Sequence, residues 1–265
     1  MSGPTPDFSD LRLVDTHAHI SFPQFDNDRE SVIAQIEDNA ISLLIEVGTN
    51  VKDSQRAYET VRELKNGFFS AGVHPHDSSG LDAEGMRSLE SLLSREKAVA
   101  VGEIGLDFFR NLSPAESQFR AFKEQLMLAA KLDLPIIVHV RDAYPEAYKT
   151  ILECGHFKGV IHAFSADLEY ARKFIDLGFF LGIGGPITYK RNDELRNVVR
   201  EIPLEKLVCE TDCPYLPPVP FRGKRNEPYY VGYVIEEIAA QKEISARNCS
   251  EKLFENAVGL FSLTL

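Results

Sequence analysis

The sequence predicts a single (β/α)8 barrel, and three observations predict it. Its 265 residues suit one α/β barrel of about 250 residues better than several independent domains. Short apolar, β-branched runs recur at intervals of about 30 residues, and they are near-continuously apolar, as parallel strands buried on both faces read. Helical segments lie between them. Hydrophobic residues make up 44% of the chain, enough for a large core, and charged residues make up 26%, which excludes wholesale disorder.

The expected strands are 11–17, 42–49, 68–74, 98–107, 135–140, 159–164, 179–185 and 207–212. The clearest helix is 115–131. Ser113, Pro114 and Glu116 read as N-cap, N1 and N3 of a capping box. Phe119, Phe122, Leu126 and Ala129 then mark one helical face. A second helix is expected over 227–241, with Val231, Val234, Ile235 and Ile238 on its apolar side. Leu253, Phe254, Ala257, Leu260 and Phe261 mark a third near the C-terminus. An open doubly wound sheet is the main rival. It would want Gly-x-Gly-x-x-Gly after the first strand, where this chain has His-Ala-His-Ile-Ser-Phe.

The net charge of −11 argues against a protein that coats duplex DNA through a basic face. It leaves room for a small nucleic-acid site in which bound cations supply the positive charge. Cys154, Cys209, Cys213 and Cys249 form no Cys-x-x-Cys pair and read as reduced thiols of a cytoplasmic protein. Residues 1–10 read as a short polar tail, with the barrel over 11–265. The tail lacks the basic start and apolar core of a signal peptide, and no apolar run is long enough to span a membrane. A monomer is the default expectation.

Five of the seven histidines fall at or just past a strand's C-terminal end: His17, His19, His74, His139 and His162. His76 follows two residues into the third loop. Glu103 and Asp212 stand at the same level on the fourth and eighth strands. In a barrel these ends converge on one cavity. His17 and His19 differ by two, so on an extended chain they point the same way, and Asp15 shares their parity. Imidazole nitrogen with carboxylate oxygen suits zinc, manganese, iron or, with more water, magnesium. A carboxylate such as Glu103 can bridge two ions about 3.5–4 Å apart. Each residue alone has a plainer reading, as a hydrogen-bonded core histidine, a helix cap or a turn former. Six such groups aimed at one cavity are costly to bury without cations.

At these residues the chain resembles the TatD family of metal-dependent deoxyribonucleases, over nearly its whole length. The motifs run in order: Val14-Asp15-Thr16-His17-Ala18-His19, Gly72-Val73-His74-Pro75-His76, Gly102-Glu103-Ile104-Gly105-Leu106-Asp107, residues 134–143 around His139, residues 159–165 around His162, and Glu210-Thr211-Asp212-Cys213-Pro214-Tyr215-Leu216 followed by residues 222–228. The resemblance implies a barrel with two divalent ions (Mg2+, Mn2+ or Zn2+). It places His17, His19, Glu103 and Asp212 on one ion and Glu103, His139 and His162 on the other. It also implies phosphodiester hydrolysis of DNA, typically from a 3′ end. The family often has Cys at Ala18 and Ala163 and Gly at Ala166; none of these is a ligand.

The expected mechanism is in-line attack on phosphorus by a metal-activated hydroxide, with Asp212 accepting the proton and His74 near the phosphate or leaving oxygen. Arg141 faces the same mouth and its fork suits phosphate, with a salt bridge to Asp142 as the plainer reading. Arg222, Lys224 and Arg225 form a basic loop that is expected to meet a substrate backbone, and His76 is expected to join it or stand behind a ligand. Glu210 is expected to hydrogen-bond a ligand histidine. Phe108 and Phe109 either stack a base or cover the rim. Two rival readings remain: an amidohydrolase or deacylase acting on C–N or ester bonds, and a non-catalytic metal-binding scaffold.

Overall fold

A computed structural model describes residues 7–38 and 41–263. Strands and helices alternate as β1 (Leu13–Ala18), α1 (Arg29–Asp38), β2 (Ile41–Val47), α2 (Val51–Val61), β3 (Gly67–Ala71), α3 (Ala83–Leu93), β4 (Ala98–Asp107), α4 (Ala115–Leu132), β5 (Ile136–Arg141), α5 (Tyr144–Cys154), β6 (Gly159–Ile161), α6 (Leu168–Asp176), β7 (Phe180–Ile183), α7 (Asp193–Glu201), β8 (Leu207–Cys209), α8 (Val231–Gln241) and α9 (Ala246–Leu260). The eight strands form one sheet in sequence order, every pair parallel. A parallel bridge from Ala18 to Cys213 closes the ring. This is a single (β/α)8 barrel. Among the described residues no helix is long and apolar enough to cross a membrane.

The core follows from the apolar runs. Leu43, Ile45, Val101, Ile137, Val138, Leu181 and Val208 are fully buried, sealed by the helices outside and one another within. Burial of such side chains is the main favourable term in folding.

The strands that end at the cavity are shorter than expected. β3, β6, β7 and β8 stop two or three residues before the apolar pattern does. The reason is local: residues that must aim polar groups inward leave the ladder. Ala163 (φ 43°) and Asp212 (φ 56°) adopt left-handed backbone just beyond β6 and β8.

Three other expectations are corrected. Ser113 does not cap α4. Pro114 occupies the N-cap without a side-chain bond, while Ser113 Oγ donates to the His76 carbonyl at 2.7 Å and ties the β3 loop to α4. The helix expected from 227 begins at Val231, after a single 3-10 turn at Pro228–Tyr230, because proline at 228 cannot donate to a preceding turn. Finally, the expected N-terminal tail of 1–10 is not polar throughout in its role. Residues 1–6 lie outside the described residues, and Phe8 is buried against Tyr229 and Tyr233, over Gly232, where a Cβ would meet its ring at 2.3 Å.

Candidate metal centre

The sequence-predicted site residues converge at the C-terminal mouth of the barrel. His17 is the penultimate residue of β1 and His19 stands just past its end. Their shared parity brings the two Nε2 atoms to 3.1 Å. His19 Nδ1 is 2.8 Å from the Val47 carbonyl and so carries the proton, leaving the Nε2 lone pair facing the cavity. His139 rises from β5, His162 stands just past β6, and Asp212 just past β8. The His162 ring stacks on His17 at 3.5 Å between centroids.

Glu103 lies at the centre, 4% exposed. Its Oε2 faces His17 Nε2 at 3.4 Å and His19 Nε2 at 3.9 Å. Its Oε1 faces His139 Nδ1 at 2.9 Å, His74 Nε2 at 3.6 Å and His162 Nε2 at 3.8 Å. One carboxylate therefore addresses two separate imidazole sets. Asp212 Oδ1 lies 3.5 Å from His19, 3.7 Å from His162 and 3.8 Å from His17.

The charges are coupled. Burial alone would raise the Glu103 carboxyl, but His74, His139 and His17 outweigh it and hold it well below the usual range. Burial opposes ionisation of Asp212 as well, and His19, His162 and His17 overcome it. His162 would lose its proton on burial, yet the carboxylates of Glu210, Asp212 and Glu103 push it up to about 10. Two ionised carboxylates so deep in the fold need cations, and protonated imidazoles or divalent metal can supply the charge.

His74 is different. Its Nδ1 accepts the His76 backbone N–H at 3.1 Å, so in the neutral ring the proton sits on Nε2, toward the cavity. Burial, reinforced by His139, keeps this ring neutral, well below the ordinary histidine range. His74 thus presents a donor toward the cavity where His19 presents a lone pair.

Side chains behind these groups fix them. Glu210 Oε1 is 2.9 Å from His162 Nδ1 and accepts the Ala163 N–H at 2.7 Å. The Asp15 carboxylate points away from the cavity despite its parity. It accepts N–H bonds from His17 and Thr211 and the Thr211 hydroxyl, clamping β1 to β8. Two acids were missed in the sequence. Asp107 Oδ2 stands 2.9 Å from His76 Nε2 and 3.2 Å from His139 Nε2, so it tethers both rings in the cavity wall. Asp107 shares β4 parity with Glu103, the signal that could have found it. Glu46, a lone acid in an apolar strand, accepts the N–H groups of Ile20 and Ser21 and so shapes the turn after His19.

Burial pushes the Asp15 carboxyl up from its ordinary 3.8 to about 8. Below pH ~4 it is protonated folded and unfolded; between ~4 and 8 only the unfolded chain releases the proton, so its contribution to stability is lost as pH rises through that window. Denaturant titrations of metal-free protein at pH 5 and pH 8 are expected to show a smaller loss in Asp15→Asn than in the parent. An equal loss in both would remove Asp15 as the source.

The basic residues divide. Arg141 lines the mouth and stacks on Phe109 at 3.9 Å, and among the described residues it forms no ion pair with Asp142. Phe108 packs on Phe119, and Phe109 stays exposed under Arg141. Arg222 lies over Tyr189 at 4.2 Å, and Lys224 is exposed. Arg225 turns away from the expected substrate path. It forms a two-pronged pair with Asp28 at 2.7 Å each, bonds Glu227, and lies over Phe25. This corrects its expected role to a structural one. Arg225→Ala is expected to cost roughly 1 kcal/mol of stability after solvent screening, while Arg222→Ala leaves the denaturation midpoint in place; urea titration checks both.

Three groups of donor atoms lie within metal-binding reach of one another: His17, His19 and Asp212; His17, His162 and Glu210; and His74, Glu103 and His139. Buried His17 Nδ1 has no hydrogen-bond partner. Nitrogen and oxygen donors without thiolate fit zinc, manganese or magnesium-like ions. The protonated Nε2 of His74 disfavours it as a ligand in the third group, where His162 lies nearly as close to Glu103.

Barrel and site together define a metal-dependent hydrolase. Known proteins agree. The family model described as TatD related DNase matches residues 14–262. An uncharacterised metal-dependent hydrolase of Bacillus subtilis, YabD, is 39% identical over 95% of this chain and 99% of its own length. The 3′-5′ ssDNA/RNA exonuclease TatD of Escherichia coli K12 is 38% identical over 86% of this chain and 90% of its own. The crystal structure of YJJV, a TatD homologue from Escherichia coli K12, superposes with a TM-score of 0.90 at 31% identity, covering 96% of this chain and all of that one. The chain belongs to the TatD family.

Proposed function

We propose that this protein is a two-metal 3′-5′ exodeoxyribonuclease. The observation that carries the reading is Glu103, whose two oxygens address two imidazole sets, at 3.4 Å from His17 and 2.9 Å from His139, as a residue shared by two ions would. His17, His19 and Asp212 would hold one ion with Glu103, and His139 and His162 the other. When bound, divalent ions lower the pKa of water and neutralise phosphate charge. Asp212 Oδ orients the attacking water and takes its proton. The neutral His74 Nε2–H donates to an anionic phosphate or leaving oxygen. Arg141, free of Asp142, holds a phosphate oxygen from the rim, and Arg222 and Lys224 meet the backbone beyond. Four free thiols fit the cytoplasm. Every group of the site comes from one chain, so a monomer suffices.

The test strips the protein of metal and supplies a 5′-labelled single-stranded oligonucleotide with Mg2+, Mn2+ or Zn2+ in turn, alongside Asp212→Asn. A ladder shortening from the 3′ end, metal-dependent and lost in the variant, is expected. Intact DNA with every ion, together with turnover of an amide or ester panel, would replace this reading by an amidohydrolase.

A further inference from the structure

The metal centre occupies only the floor of its cavity. The cavity measures about 770 Å3, in the range that holds a whole drug-sized ligand. One wall is aromatic. Phe22 stacks on His19 at 4.4 Å between centroids, and Tyr215 meets Phe22 edge-on at 6.4 Å. Both rings are built the same way. Phe22 N–H donates to the His19 carbonyl at 3.1 Å, and Tyr215 N–H donates to the Asp212 carbonyl at 2.8 Å. Each ring therefore sits one turn beyond a candidate ligand and is fixed by that ligand's own backbone.

Tyr215 is held further. Buried Asn226 donates to the Tyr215 and Thr211 carbonyls, and Gln24 Nε2 reaches the Tyr215 hydroxyl at 3.4 Å. Yet the residue is 47% exposed. A ring carried on main chain held so firmly, with an uncovered surface at the mouth, is placed for contact rather than for packing. The same two rings also border a shallow second basin with Gln24, Asp53 and Arg56, so Tyr215 stands between the cavity and that basin.

We infer that Tyr215, backed by Phe22, is a stacking platform for an unpaired nucleobase next to the scissile phosphate. This rests on the nuclease reading and assigns it a specificity residue: an unpaired 3′ base exposes a π-face that a paired end keeps stacked, and Tyr215 meets that face. The platform is indifferent to base identity, because stacking reads no hydrogen-bond pattern.

The probe is an oligonucleotide carrying 2-aminopurine as its 3′-terminal base, mixed rapidly with the metal-loaded enzyme. The chain has no tryptophan, so protein emission does not mask the probe. Fluorescence is expected to fall severalfold before turnover, to do so again in Tyr215→Phe, and not in Tyr215→Leu. KM for the oligonucleotide should rise roughly 5- to 100-fold in Tyr215→Leu, the range of one base–aromatic stack, with metal content intact. A 3′-terminal abasic substrate should be equally good for both proteins. Cleavage without quenching, or equal sensitivity of the abasic substrate to Tyr215→Leu, overturns the platform and leaves the nuclease. Quenching without cleavage overturns the nuclease and leaves the platform. Neither binding nor cleavage overturns both.

Discussion

Glu103→Gln is expected to abolish hydrolysis and strip metal in one step. The carboxylate presents one oxygen to His17 and His19 and the other to His139, His74 and His162. The amide keeps the shape but replaces one of those oxygens with an N–H2 donor, which cannot ligate and which turns its protons toward imidazole lone pairs. The loss of charge stabilisation is several kcal/mol, or roughly 10^3-fold in kcat/KM at about 1.4 kcal/mol per decade. Elemental analysis should find the metal content reduced along with activity. Circular dichroism should find the barrel intact, since Gln fills the same space. A variant that keeps its metal and loses only rate would show that Glu103 serves the reaction without bridging ions.

Gly105→Ala is expected to cost at least about 3 kcal/mol and to damage the site through the backbone. Gly105 lies in β4 at φ 141°, a conformation open to glycine. A Cβ there would stand 2.0 Å from the His139 carbonyl oxygen. That oxygen belongs to β5 main chain and has no rotamer to escape into. The strand itself would have to shift, carrying His139 away from Glu103. Gly155, at the end of α5, is the control. Its φ is also positive, at 72°, but nothing lies within 4 Å of an added Cβ, so Gly155→Ala should cost about 1 kcal/mol and leave the site unchanged. Denaturant midpoints separate the two. Similar costs at both positions would mean that β5 yields more easily than its packing implies.

The barrel was legible because its strands are buried on both faces, which leaves a continuous apolar imprint in the sequence. Their ends were less so. Around Ala163 and Asp212 the apolar pattern continues while the backbone turns out of the ladder, and composition does not register a change in φ. The histidines were legible because imidazole is rare at such strand ends. Asp107 and Glu46 were not, since an acid at the end of a strand reads equally as the start of a loop. The charge of the Arg222–Arg225 loop was visible, but its direction was not. Arg225 finds Asp28 and Phe25 across nearly 200 residues, a pairing that only the closed ring creates. Ser113 misled for a related reason: the three-residue spacing of a capping box was present, and a carbonyl from another loop competed for the hydroxyl.

The ring's closure has a consequence for how the protein comes into being. His17 and His19 come from the first strand and Asp212 from beyond the last, and the seam between them is sewn by Asp212 N–H to the His17 carbonyl, His19 N–H to the Cys213 carbonyl, and the Asp15 clamp on Thr211. These contacts span almost the whole chain, the kind of long-range closure that costs the most chain entropy. A chain that ends before Thr211 keeps His17, His19 and Glu103 but lacks Asp212, the acid that faces His17, His19 and His162 together. A chain without its last strand is therefore expected to lack the complete donor set. The donor set is complete only when the two ends of the chain have met, and an ion seated there would act as a rivet that holds them together.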